Sequence, residues 1–222
     1  MADILIIAPH PDDEVFGCGG TMARHADAGD RVHVVVVTRG SPEVFPPQSV
    51  DIVRAEAAQA HRLLGVASCR YLDFPAPKMD QIAGHTVADK LRQLILQIRP
   101  EVIYVPHCGD IHADHKAVFW AACVAARPAV DFQVSRVLSY ETLSETEWGP
   151  PSGGSAFTPT VFVDIAAQLE RKLQSASAYV SQLKDAPHPR SLACLKALAR
   201  FRGSTACIEA AEAFVHVRET QK

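Results

Sequence analysis

Ile4-Leu5-Ile6-Ile7-Ala8-Pro9-His10-Pro11-Asp12-Asp13-Glu14 joins a five-residue apolar run to a turn crowded with ionisable groups. A short, uninterrupted apolar run bounded by turn residues reads as a strand buried on both faces. Pro9 and Pro11 end that strand and stiffen the turn. His10, Asp12, Asp13 and Glu14 then share one tight turn, where the carboxylates repel one another. A divalent cation would relieve that repulsion, because it stabilises anionic carboxylates and neutral imidazole together. The alternative is a solvated acidic turn that caps the next helix, where Asp and Glu are also favoured.

Outward from this stretch the chain alternates strand and helix patterns. Strands are expected at 32–38, a β-branched run, and at 70–74 and 102–106. Between them, 49–64 is Ala-rich and stops at Gly65. Residues 86–98 place Leu91, Leu94, Ile95 and Ile98 on one helical face, with Pro100 just beyond. Such alternation predicts a single Rossmann-like α/β domain over 1–222, with a mostly parallel sheet flanked by helices on both faces. The second half is less regular. Helices are expected at 115–126, 165–182 and 191–201, and strands at 134–140, 160–164 and 213–217. Residues 147–159, rich in Pro, Gly and Ser, are expected to form a surface loop.

A second polar cluster follows the strand at 102–106: His107-Cys108-Gly109-Asp110-Ile111-His112-Ala113-Asp114-His115. In a doubly wound sheet, ligands bind beyond the carboxyl ends of strands, at the point where strand order reverses. The first and fourth strands would be neighbours there, so the two clusters would face each other across one crevice. Two His and one Asp form an open zinc site of the catalytic type, whereas a structural zinc site would use four protein ligands. The six cysteines contain no C-x-x-C pair, which argues against a cysteine zinc site, a disulfide framework and a catalytic thiol. Gly17-Cys18-Gly19-Gly20 opens the first helix but does not match G-x-G-x-x-G, and acidic residues stand where a pyrophosphate would approach. These glycines are expected to let the first helix pack closely against the site.

The 222 residues are 48% hydrophobic with a formal net charge of −3. That supports a full core and gives no basic footprint for nucleic acid and no polybasic membrane patch. Met1-Ala2-Asp3 runs into the strand without a basic or apolar leader, and no apolar run reaches membrane-spanning length, so the expected location is cytoplasmic.

Pro9-His10-Pro11-Asp12-Asp13-Glu14 taken with His112-Ala113-Asp114-His115 resembles the signature of the PIG-L/LmbE-like zinc de-N-acetylases. Arg54-Ala55-Glu56, Tyr140-Glu141-Thr142, Pro187-His188-Pro189-Arg190-Ser191 and Glu212-Ala213-Phe214 extend the likeness along the chain. Members of that family act on N-acetylglucosaminyl-phosphatidylinositol, on sugar precursors of low-molecular-weight thiols and on chitobiose-like sugars. The resemblance implies one zinc ion per chain, held by His10, Asp13 and His115. It implies Asp12 as the base that takes a proton from metal-activated water. His112 would stabilise the oxyanion and protonate the leaving amine, with Asp114 orienting it. Arg54, His188 and Arg190 become candidate substrate-binding residues, the latter two from the same or a neighbouring subunit. Glu14 is expected to hydrogen-bond behind the ligands. His107 and Asp110 lie near the site but outside the core motif. His25, His33, His61 and His216 lack ligand-like company. The function so implied is zinc-dependent removal of the acetyl group from an N-acetylglucosamine-type amino sugar, in a homo-oligomer, often a hexamer. Two alternatives are an amidase for a larger acyl or thiol-conjugate amide, and a non-catalytic sugar- or nucleotide-binding module. Amide hydrolysis itself requires an activated water, a Lewis acid for the carbonyl and a proton for the departing nitrogen, which this residue set can meet.

Overall fold

The apolar run forms β1 (Asp3–Ala8), whose side chains alternate between two cores. Ile4 and Ile6 point to one face of the sheet, and Leu5 and Ile7 to the other. β2 (Arg31–Gly40) behaves in the same way, with Val34 and Val36 opposite Val35 and Val37. Each fully buried aliphatic side chain of this kind contributes about 1.5–3 kcal/mol. These strands therefore anchor both layers. The computed structural model describes residues 1–46, 48–130, 132–151 and 155–221.

The remaining strands are β3 (Ser68–Ala76), β4 (Val102–Val105), β5 (Arg136–Tyr140), β6 (Val161–Asp164) and β7 (Ala211–Glu219). The sheet order is β3-β2-β1-β4-β5-β7-β6. β1 to β5 run parallel, whereas β7 pairs antiparallel with both β5 and β6. β1 therefore sits between β2 and β4, and strand order reverses there, as the sequence predicts. Helices α1 (Asp13–Asp27), α2 (Gln48–Leu64), α5 (Leu169–Ser177) and α6 (Leu192–Thr205) cover the Ile4/Ile6 face. Helices α3 (Gly84–Ile98) and α4 (Ala113–Ala125) cover the other.

One expectation changes. The helix expected over 165–182 is shorter. Asp164 Oδ1 caps the Ala166 N–H at 2.9 Å and starts a 3₁₀ turn (Ala166–Gln168) before α5 begins. At the other end Ala178 and Tyr179 donate to Ser175 and Ala176, three residues back, and the chain turns away. The glycines of α1 face the core behind the site. A Cβ at Gly17 would lie 2.3 Å from the Tyr140 ring, and one at Gly20 would lie 2.6 Å from Ile165. Tyr140 then donates its hydroxyl to Ile7 O at 2.9 Å, fixing β5 to β1 through this close approach. Behind the same helix a buried pair, Lys172 and Glu212, meets at 2.6 Å. Lys172 Nζ also donates to Phe16 O, and Glu212 accepts the Gly20 and Thr21 N–H groups. The charges are thus satisfied, and α1 is pinned to α5 and β7. Of the expected loop at 147–159, residues 152–154 lie outside the described residues. No helix among the described residues is long and apolar enough to cross a membrane.

Candidate active site

The turn after β1 carries Asp12 at φ 111°, a backbone region that a residue with a Cβ rarely adopts. Such a conformation costs about 1–3 kcal/mol and needs support. Glu14 Oε2 accepts the Asp12 N–H at 3.0 Å, and Asp12 O caps α1 by accepting from Val15 and Phe16. Glu14 is itself fully buried. It takes the Tyr179 hydroxyl and lies 2.9 Å from His61 Nε2, so the turn after β1, α2 and the turn after α5 converge on this one carboxylate of α1. Burial alone would push His61 down, but Cys69 and Glu14 outweigh it and raise it to about 9. The strained turn thus aims Asp12 at the crevice and Asp13 under it.

Asp13 Oδ2 lies among three nitrogens: His10 N at 2.8 Å, His10 Nδ1 at 3.4 Å and His115 Nε2 at 3.2 Å. One donor atom from each of His10, Asp13 and His115 falls within 4.8 Å of the other two. Each imidazole is backed by a carboxylate on its remaining nitrogen. His10 Nε2 meets Asp114 Oδ2 at 3.0 Å, and His115 Nδ1 meets Asp110 Oδ2 at 2.8 Å. Asp110 is fixed in turn by the Thr146 hydroxyl, and Asp114 by the Met79 N–H. His115 Nε2 is fully buried, lies 3.2 Å from Asp13 Oδ2 and has no hydrogen-bond partner among the described residues. An orphaned imidazole nitrogen, a buried carboxylate and two carboxylate-backed histidines fit a divalent metal.

The electrostatics point the same way. Burial works against charge on His115, yet Asp13 and Asp110 carry it up to about 10. Burial likewise opposes charge on His10, and Asp114 with Asp13 raises it to about 9. Asp13 is held well below the usual carboxylate range by His115 and His10, despite its burial. The site therefore calls for positive charge, which a cation would supply in place of protons. Asp12 is pushed up to about 7, by burial first, with Arg190 opposing and Asp13 and Glu14 adding.

His112 is the N-cap of α4, and its Nδ1 accepts the Asp114 N–H at 3.1 Å. The proton of the neutral ring is thereby placed on Nε2, as a donor. The family resemblance has Asp114 orienting His112. In the structure the Asp114 backbone does so, while its carboxylate turns to His10. His112 is pushed below its ordinary value by burial and by His10.

A pocket opens over this cluster, lined by His10, Asp12, His112, Glu145 and Arg190 at one end and by Arg39, Phe45 and Arg54 further out. Arg190 belongs to the same chain's site and pairs with Asp12 Oδ2, its guanidinium 4.8 Å over Phe16. Arg54 lines the pocket but is paired with Asp73 and stacked 4.3 Å over Tyr71. His188 stands behind Arg190, with its Nδ1 accepting the Arg190 N–H and its ring beside Trp148. Sequence reasoning missed the contact of Asp110 with His115, although Asp110 lies in the same His/Asp-rich loop. It also missed Glu145, whose one signal is a carboxylate just beyond the end of β5.

Residues 5–126 match the family model described as PIG-L, GlcNAc-PI de-N-acetylase. The uncharacterized deacetylase YaiS of Escherichia coli K12 is 31% identical over 167 residues, spanning 73% of this chain and 81% of YaiS. The 1D-myo-inositol 2-acetamido-2-deoxy-alpha-D-glucopyranoside deacetylase of Streptomyces avermitilis is 31% identical over 163 residues, 58% of this chain and 54% of that protein. The match thus spans about half the length of that relative. Among solved structures, the conserved protein TT1542 of Thermus thermophilus superposes with a TM-score of 0.81 at 28% identity, over 100% of this chain and 97% of that one. Two others at 22% identity share the fold. The N,N'-diacetylchitobiose deacetylase of Pyrococcus horikoshii has a TM-score of 0.77 over 97% of this chain and 84% of its own. The 4-carboxy-2-hydroxymuconate hydratase GalB of Pseudomonas putida KT2440 has 0.80 over 100% and 99%. The match over more than half of the sequence, a stretch that includes both polar clusters, shows that the chain belongs to the PIG-L family.

Proposed function

We propose that the protein is a zinc-dependent hydrolase that removes the acetyl group from an N-acetylglucosamine-type amino sugar or its conjugate. The observation that carries this reading is the convergence of His10, Asp13 and His115, each imidazole backed by a carboxylate, at the floor of a pocket that also presents Asp12 and His112. The Streptomyces relative supports the substrate class, since its name is that of an N-acetylated amino-sugar glycoside deacetylase. His10, Asp13 and His115 would hold the ion. When bound, zinc supplies Lewis acidity toward an amide carbonyl and lowers the pKa of water.

The chain's own groups do the rest. Arg190 occupies Asp12 Oδ2, and Asp12 Oδ1 accepts no hydrogen bond among the described residues, so this oxygen is available to take a proton from water. His112 Nε2–H, fixed as a donor by the Asp114 N–H, serves the carbonyl oxygen as it gains charge. The same reading takes 1–222 as one cytoplasmic domain in a homo-oligomer, supported by the family resemblance and checked by light scattering. The test of function is acetate release from N-acetylglucosamine, its β-linked dimer and its inositol glycoside, with mass spectrometry reading the exchange of acetyl for hydrogen. Release from at least one member is expected. No release from any of them, or cleavage only of longer acyl amides, would refute the proposal.

A further inference from the structure

Glu145 is a charged group at the reacting end of the pocket that has no part in activating water or polarising the carbonyl. It lies five residues past the end of β5 and lines the pocket with His10, Asp12, His112 and Arg190. Its backbone is held on both sides. Its N–H donates to Thr142 O at 3.1 Å, and its carbonyl accepts the Ile111 N–H at 2.9 Å, which ties it to the loop that carries His112. Its carboxylate accepts no hydrogen bond and forms no ion pair among the described residues, although it is half-buried. Burial pushes it up to about 7, with Asp13 adding and with His115, His10 and Arg190 opposing. Solvent can serve this carboxylate in the open pocket, and a ligand that displaces the solvent must bring a donor in its place.

The hydrogen-bonding demands of the substrate identify that ligand. A secondary amide brings one carbonyl oxygen and one N–H. His112 Nε2–H answers the carbonyl. Of the two carboxylates facing the pocket, Asp12 has one oxygen on Arg190 and the other committed to water, and it cannot also serve the amide N–H. Glu145 is the remaining carboxylate in the lining, and the one suited to a cation. During hydrolysis water adds to the carbonyl carbon, the C–N bond breaks, and the electron pair leaves on nitrogen. Acetate carries the negative charge, and the amine ends as an ammonium ion. A cation is then produced where the amide N–H had been.

Building on the deacetylase reading, we propose that Glu145 binds the substrate by accepting the hydrogen bond of the scissile amide N–H, and that it then holds the ammonium group of the product. The experiment uses the full, zinc-loaded chain and the panel member from which the wild type releases acetate fastest. Two inhibitors are compared: the amine product of that substrate, and the same sugar with a hydroxyl in place of the amine. Glu145→Gln should raise the inhibition constant of the amine about ten- to a hundredfold, the range for a lost hydrogen bond to a charged group. It should leave that of the hydroxyl analogue, the zinc content and the melting temperature unchanged. Glu145→Asp should restore part of the preference for the amine. Equal inhibition constants for the amine in wild type and Glu145→Gln, or equal losses for both inhibitors, would overturn the assignment. If the wild type releases acetate from no member of the panel, the deacetylase reading fails first, and this inference falls with it.

Discussion

Asp12 and Asp13 are adjacent in the chain and face different partners. Asp13 lies under His10 and His115, while Asp12 turns into the pocket toward Arg190. Asp12→Asn keeps the shape and removes the basic oxygen. Turnover is expected to fall roughly 100- to 10000-fold, the range for a lost general base, with zinc content unchanged. Asp13→Asn is expected to lose zinc, because a neutral amide is a poor ligand. Elemental analysis and initial rates on both variants check this, and the opposite pattern would reverse the two assignments. Asp110 and Asp114 touch the far nitrogens of the two histidines. Asp110→Asn and Asp114→Asn are each expected to weaken zinc affinity about 10- to 100-fold in a competition titration with a chromophoric chelator. At this scale the sequence showed which residue types cluster, because two His/Asp runs each follow an apolar run. It did not show who backs whom. That depends on the cap of α4, where the Asp114 N–H meets His112 Nδ1 while the Asp114 carboxylate meets His10. Glu145 was hidden for a related reason, since only the loop geometry after β5 brings it to the pocket.

Strands were legible as elements because both faces of β1 and β2 are buried, so their sequences are continuous apolar runs. The helix expected at 165–182 was not, since its ends are set by a side-chain cap at Asp164 and by the turn that delivers Tyr179 to Glu14. The glycines of α1 are explained by what they admit. Gly17→Ala would drive a methyl group into Tyr140 and is expected to cost about 1–3 kcal/mol of stability. A melting temperature equal to the wild type would contradict the close approach. The link between α1 and α2 through Glu14 and His61 has a pH signature. His61 is raised to about 9 in the folded protein from an ordinary value of 6.5. Its contribution to stability is therefore fully present below pH 6.5 and is lost as pH rises through about 9. In zinc-loaded protein, the stability advantage of wild type over His61→Gln should shrink across that window. The steepest slope is about 1.4 kcal/mol per pH unit, as for one proton. Denaturant unfolding at about pH 6, 7.5 and 9 measures it, and a constant difference would rule out a charged His61.

For the whole molecule, the strand order places the carboxyl ends of β1 and β4 side by side, and the two polar runs meet because of that neighbour relation alone. This was foreseeable from strand–helix alternation. The antiparallel β7 between β5 and β6 was not, because its partners are distant in sequence and its pairing is non-local; the Lys172–Glu212 contact ties it behind α1. A shared fold also spans different chemistry, since GalB superposes as well as the deacetylases do. The reaction must therefore be argued from the candidate metal ligands and the pocket residues.

The most direct test of the central claim is zinc add-back to chelator-stripped protein, with acetate release followed as a function of the zinc-to-chain ratio. Activity should be absent in the stripped protein, rise linearly and saturate at about one equivalent, as a single His/His/Asp site requires. Full activity before zinc is added, or saturation by zinc of a His115→Ala variant at the same ratio with the same rate, would contradict the account.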